Sequence, residues 1–142
     1  MKTRPFGITD YPLAETCPGE VRGGRGMSLE ELTLERVVSG EITMDDLRIT
    51  PQSLSRQGEI ARAAGRPTLA LNLERAAEMT ALPQQVIMEI YELLRPGRAK
   101  SDAELIAAAK LLRETYGTLK LAAFLEEAAE VYRRRGLYLD RY

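Results

Sequence analysis

The chain has 142 residues with no His, no Trp, two Phe and a single Cys, and its formal net charge of -1 and pI near 5.7 give it no global attraction to nucleic acid or an anionic membrane. That length fits one domain, able to bury roughly two-thirds of the surface its unfolded chain exposes, and with 44% hydrophobic residues the core must be built mainly from Leu, Ile, Val, Ala and Tyr. No apolar run reaches the roughly 18 residues a membrane span requires, no basic-then-apolar leader opens the chain, and Cys17 alone can form neither an intrachain disulfide nor a thiolate-rich metal site, so a cytoplasmic location is expected.

From Met1 to about Gly26, Pro and Gly recur without a helical period, which predicts an extended N-terminal arm over residues 1–27 that an isolated monomer gains little by ordering. Ser28 and Glu31 fit a capping box, and Thr33 is placed to cap a short helix that Gly40 ends. Thr43 caps a further turn carrying Asp45 and Asp46, whose charges suit a helix N-terminus. Thr50-Pro51 reads as an N-cap with proline at the first helical position, opening a helix that Gly65 closes. Pro67 opens the next, with Leu69, Leu73, Ala76 and Thr80 on one stripe. Pro83 ends that helix and starts another, whose buried face should hold Ile87, Ile90, Tyr91 and Leu94 before Pro96 stops it. Ser101 and Glu104 form a second capping box, and Leu105, Ala109, Leu112 and Tyr116 make one stripe before Gly117. The last helix, from about Leu119 to Arg135, places Leu121, Leu125, Ala128 and Tyr132 together. With no strand and no internal repeat in view, the expected fold is all-α, an irregular multi-helix domain over residues 28–142 behind the arm.

The absence of histidine is the strongest chemical statement in the sequence, because no other side chain has an unperturbed pKa between roughly 5 and 8. The usual nucleophile-base pairs and most transition-metal sites are therefore closed to this chain alone. The adjacent carboxylates Glu30-Glu31, Asp45-Asp46 and Glu126-Glu127 do not make an acid-base pair either. Neighbouring helix positions diverge by about 100 degrees, so helix-end electrostatics or a solvated face accounts for them better. The run Arg22-Gly23-Gly24-Arg25-Gly26 lacks the Lys-Ser/Thr that a phosphate-cradling loop requires and reads as a flexible loop. Nothing near Cys17 would act as a base, and its Pro-Gly surroundings mark a turn. Arg133, Arg134 and Arg135 fit two readings, contact with an acidic partner or complementation of the carbonyl end of the last helix. Tyr138 and Tyr142 are either interface anchors or part of a frayed tail. Ala76, Ala77, Thr80, Ala81, Leu82, Ile87 and Ile90 also sit near the core positions of a helix-turn-helix. Its recognition helix would carry Gln84, Gln85 and Met88, but Glu89 and Glu92 would bring negative charge toward phosphates with no Lys or Arg before Arg95.

Seven blocks carry a wider resemblance: DYPLA (Asp10 to Ala14), Cys17-Pro18, LTLERVVSGEIT (Leu32 to Thr43), DDLRITP (Asp45 to Pro51), NLERAAEMTALP (Asn72 to Pro83), IYELLRP (Ile90 to Pro96) and AAFLEEAAEVY (Ala122 to Tyr132). In these blocks and their order the chain resembles the small subunits of the adenosylcobalamin-dependent diol and glycerol dehydratases. The resemblance implies a non-catalytic subunit of a three-subunit lyase. A large barrel subunit binds the diol and a metal ion, adenosylcobalamin lies between the large and medium subunits, and two such trimers pair into a heterohexamer. Homolysis of the cobalt-carbon bond yields an adenosyl radical, and the radical reaction turns propane-1,2-diol into propanal or glycerol into 3-hydroxypropanal with loss of water. No catalytic, cofactor-binding or metal-binding residue is then expected on this chain, and the choice of substrate lies outside it. A radical must be kept from solvent and in one geometry, so a helical brace across the outside of the barrel would limit its opening. The arm from Met1 to Gly26 is the segment expected to depend on that partner.

Two departures from the resemblance concern the ends. Nine residues precede Asp10, fewer than the amphipathic extension of relatives packaged in bacterial microcompartments, which weakens the expectation of an encapsulation signal. The tail RRRGLYLDRY also differs from the lysine-rich endings of the family. The alternatives are a free-standing helical interaction protein and a helix-turn-helix regulator.

Overall fold

Thr33, Thr43 and Thr50 start helices where the sequence predicts them, whereas Ser101 precedes the last-but-one helix without a side-chain cap hydrogen bond, so the capping box expected between Ser101 and Glu104 does not form. The computed structural model describes residues 4–138. Among these there is no strand, only an isolated antiparallel bridge between Arg22 and Ser28, so the chain is all-α. The helices are α1 (Leu13–Thr16), α2 (Leu34–Val38), α3 (Met44–Leu47), α4 (Pro51–Ala63), α5 (Pro67–Met79), α6 (Gln84–Leu94), α7 (Asp102–Glu114) and α8 (Leu119–Arg135), with 3-10 turns at Ile8–Asp10, Pro18–Glu20 and Leu29–Glu31. They fall into two units, one up to Ala77 and one from Glu78 onward.

In the first unit, the stretch read from sequence as an extended arm holds single helical turns joined by extended residues. Turns of three or four residues show no period, so the sequence pattern could not reveal them. Single side chains hold them instead. Asp10 is buried, and its carboxylate accepts from the Gly7 N–H (2.9 Å) and pairs with Arg4 (3.1 Å). The Phe6 N–H donates to Glu59 on α4 (2.7 Å), while Phe6 and Leu13 are buried with Ile60 of α4. Arg56 lies over the Phe6 ring, 5.4 Å from its centroid, and pairs with Glu20 (2.7 Å).

Thr50 caps α4 by accepting from the Ser53 N–H (3.2 Å), with Pro51 at the first helical position as expected. The stripe predicted for α5 is displaced. Ala70 is fully buried, Leu73 and Ala76 are partly covered, and Leu69 and Thr80 are exposed. The cause is a close crossing of two backbones: a Cβ on Gly58 of α4 would lie 3.4 Å from the Ala70 carbonyl oxygen. Small residues set that contact, and a search for large apolar residues at helical spacing does not see it. Arg62 also pairs with Glu74 between the two helices.

The second unit is built on a helical hairpin. Leu105, Ala109 and Leu112 of α7 and Ala122 and Leu125 of α8 are completely buried, with Leu121 also in the core, so both predicted stripes face inward. Between the helices, buried Thr118 donates its hydroxyl to the Leu112 carbonyl (3.1 Å). The orphan amides that open α8 find a partner far away in sequence, since the Glu78 carboxylate accepts from Lys120 N–H (3.0 Å) and Leu121 N–H (2.8 Å). At the other end, the Tyr132 hydroxyl donates to the Leu94 carbonyl and the Tyr138 hydroxyl to that of Ala129 (3.0 Å).

Helix α6 departs from expectation. It has no fully buried residue, and Tyr91 is exposed while Ile87, Ile90 and Leu94 are partly covered. Ile87, Ile90 and Leu94 pack against the core around Leu112, Leu121 and Leu125, and with Tyr91 they line an apolar recess of about 170 Å³ beside it.

Truncating a fully buried hairpin side chain removes its transfer energy and leaves a cavity. Leu125→Ala should lower the unfolding free energy by about 2–5 kcal/mol, read as a lower denaturation midpoint at unchanged slope in urea.

Candidate interaction surface

The most concentrated polar structure in the chain is a knot of charges around Asp46. This residue is the third in α3, where its carboxylate accepts from the N–H of the predicted cap, Thr43 (2.9 Å), closing a capping box. Its other partner comes from the glycine-rich run. Arg25 grips the same carboxylate with two nitrogens, Nε at 2.7 Å from Oδ1 and Nη2 against Oδ2, and also donates to the Glu41 carbonyl (2.7 Å). Asp46 is only 1% exposed. A two-pronged guanidinium-carboxylate pair is among the stronger charge-assisted contacts, and a buried carboxylate without such partners would be costly. The Arg25 hydrogen bonds, followed by the Thr43 N–H, hold the Asp46 carboxyl down from 3.8 to about 2.

The run Arg22 to Gly26, read as a flexible loop, is packed against α3 rather than loose. A Cβ on Gly23 would lie 2.3 Å from the Asp46 carbonyl oxygen, and one on Gly24 2.6 Å from that of Asp45. Two adjacent glycines beside an arginine were the available signal, since glycine marks places where backbones meet.

A second layer of charge surrounds the first. Arg36 of α2 pairs with Glu41 (2.5 Å), reaches Glu31 (3.8 Å) and donates to the Glu31 carbonyl (3.1 Å). The hydrogen bond from Arg36 lowers the Glu41 pKa, and the Ser28 N–H lowers that of Glu31. Arg48 lies 3.5 Å from Asp45. With the charges occupied in this way, the apolar side chains of the segment turn outward. Helix α2 has no buried residue, α3 buries only Asp46, and Ile42 alone among the large apolar residues between them is covered.

The other residues singled out from sequence are dispersed. Glu31 closes its capping box on Ser28 (2.7 Å), Asp45 and Asp46 diverge, and Glu126 pairs with Arg113 (2.5 Å), so no two adjacent carboxylates face one space. Cys17 packs beside the Phe6, Leu13 and Ile60 cluster, its Sγ 4.0 Å from Asp10. Arg133 pairs with Glu130 at the end of α8, and Arg134 and Arg135 are exposed. Tyr138 packs against Tyr132 with ring centroids 6.0 Å apart, whereas Tyr142 lies outside the described residues. On α6, Gln85 donates to Glu89 (3.0 Å), and just past its end Arg95 donates to Glu92 (3.0 Å). Among the described residues no group of three or more His, Cys, Asp or Glu side chains is arranged to hold a metal ion, and no helix is long and apolar enough to cross a membrane.

Comparison with known proteins gives a consistent set of matches. The family model described as the dehydratase small subunit matches residues 6–138. The chain is 48% identical over 128 residues to a propanediol dehydratase small subunit of Citrobacter freundii, an alignment spanning 90% of this chain and 74% of that relative. It is 45% identical over 139 residues to a propanediol dehydratase small subunit of Salmonella typhimurium, spanning 98% of this chain and 76% of the relative.

The depressed Asp46 pKa fixes the sign of a pH effect. Its contribution to stability is complete above about pH 4, declines as pH falls through about 2, and is absent below. Asp46→Asn should therefore be less stable than the parent at pH 7, with the difference shrinking below pH 4 in denaturation series at matched ionic strength. Gly23→Ala, which drives a methyl group into the Asp46 carbonyl, should lower the midpoint of thermal unfolding at neutral pH, whereas Gly19→Ala, where the Cβ meets nothing within 4 Å, should not.

Proposed function

The chain belongs to the dehydratase small-subunit family, and on that footing we propose that it is a small structural subunit of a diol dehydratase, a lyase complex, with the chemistry carried by its partners. The observation that carries this reading is the family match running through residues 6–138, the first unit and the second alike.

The finer assignment follows the family. The complex uses adenosylcobalamin and a radical mechanism, acts on propane-1,2-diol or glycerol, and pairs two trimers of large, medium and small subunits into a heterohexamer. The small subunit braces the large catalytic one. We assign no catalytic, cofactor-binding or metal-binding role to any residue here.

The donor set supports leaving the cofactor to the partners. Where a protein side chain displaces the lower ligand that cobalamin itself carries, that side chain is a histidine. The chain has no histidine, and its one thiol packs beside Phe6 and Leu13. No histidine of this chain can take that place on the cobalt, and no reaction step runs through the cofactor here. The holoenzyme is expected in the cytoplasm or inside a bacterial microcompartment.

Neither alternative has support among the relatives, which carry the name of a dehydratase subunit and not that of a regulator or free-standing adaptor.

The test is co-purification of the tagged chain from its native cells, with subunit masses and adenosylcobalamin-dependent diol dehydration measured on one fraction. Recovery of two larger subunits together with activity is the expected result. A lone, inactive helical protein would overturn the assignment.

A further inference from the structure

The segment from α2 to the start of α4 is built inside out. Leu34, Val37, Val38, Met44, Leu47 and Ile49 are each exposed, from 43% at Val37 to 79% at Val38. Leu34, Val37 and Val38 stand at helical positions i, i+3 and i+4 and therefore share one side of α2, and Met44 and Leu47 share one side of α3 in the same way. A helix that faces water carries its charges outward and its apolar stripe inward. Here the buried group is a carboxylate and the outward groups are aliphatic.

We propose that this outward face of α2 and α3 is the docking surface through which the chain joins its complex, and that its occupant is an apolar, weakly charged face of a larger dehydratase subunit. The proposal rests on the subunit reading above.

Area is the first argument. Summed over α2, α3 and Ile49, the six side chains present on the order of 500 Å² of apolar surface, a substantial share of the roughly 800 Å² that each partner contributes to a stable interface. The second argument is charge. Arg25, Arg36 and Arg48 are each paired within the segment, to Asp46, Glu41 and Asp45. An apolar partner could cover the face without stranding any of these cations, and an uncompensated buried charge is the usual penalty in such an interface. A strongly charged partner would find no complementary group on the stripe. The paired charges at its edge supply the polar rim that interfaces have around an apolar centre.

The experiment co-expresses the tagged chain with the other subunits of its enzyme and measures how much of each is retained at increasing dilution. Two variants, Leu34→Asp/Val38→Asp on α2 and Met44→Lys/Leu47→Lys on α3, are compared with Ile106→Asp/Leu111→Asp, which alters similarly exposed apolar positions on α7. Circular dichroism and thermal unfolding of each isolated chain identify any pair that disturbs folding. The expected result is a loss of roughly tenfold or more in retained larger subunit for both face variants, with the α7 control unchanged.

Full retention by a folded face variant would overturn the docking assignment while leaving the subunit reading intact. If the parent chain recovers no larger subunit, the subunit reading fails and the docking assignment with it. If the parent instead forms a dimer that the face variants abolish while heteromeric assembly persists, the occupant is a second copy and the proposal is wrong.

Discussion

The first unit depends on a carboxylate that cannot be left alone. Asp46 sits where water does not reach it, and its charge is held by the two-pronged grip of Arg25 and by the Thr43 N–H. From that follow the close seating of Gly23 and Gly24 on α3, the course of the loop from Arg22 to Ser28, and the position of Arg25 against the Glu41 carbonyl. Helices of four and five residues have no stability of their own, because the cost of the first turn is not recovered over so short a length. Fixed charges and caps supply what propagation cannot. Apolar burial inside this segment is correspondingly slight, and the aliphatic side chains are left exposed.

The second unit is stabilised by different physics. Its α7–α8 hairpin buries leucines and alanines in two stripes, in the ordinary manner of packed helices, and uses polar groups mainly to finish helix ends. Glu78 supplies one such finish to α8, and Thr118 ties the connection to the last turn of α7. One unit thus rests on a hydrophobic centre and the other, over α2 and α3, on an electrostatic one. Only the first kind leaves a clear trace in hydrophobic periodicity.

That contrast explains which features could be read from the sequence. Helix starts at Thr33, Thr43 and Thr50 and the inward stripes of α7 and α8 are local patterns, and they appear where expected. The displacement of the α5 stripe onto Ala70 depends on how closely Gly58 lets two backbones approach, and Tyr91 is exposed because α6 rims a recess rather than sealing it. The Glu78 cap joins residues more than forty positions apart. Burial of Asp46 could not be told from the exposure of its neighbour Asp45, since the two differ only in which side of a single turn they occupy. The family blocks were legible because they extend over most of the chain, whereas the outward face formed by two of those blocks and Met44 between them became visible only once the direction of each side chain was known.

The aliphatic stripe on α2 and α3 also bears on how the chain is made. A surface of this kind is in contact with water from release off the ribosome until a partner covers it, and in that interval it can stick to any other apolar surface, including that of another copy. Synthesis in step with the larger subunits would shorten the interval, and surplus copies would be the ones to aggregate or be degraded. If that stripe is the docking face proposed above, the side chains that favour assembly would also set an upper limit on how much unpartnered subunit a cell can hold in solution.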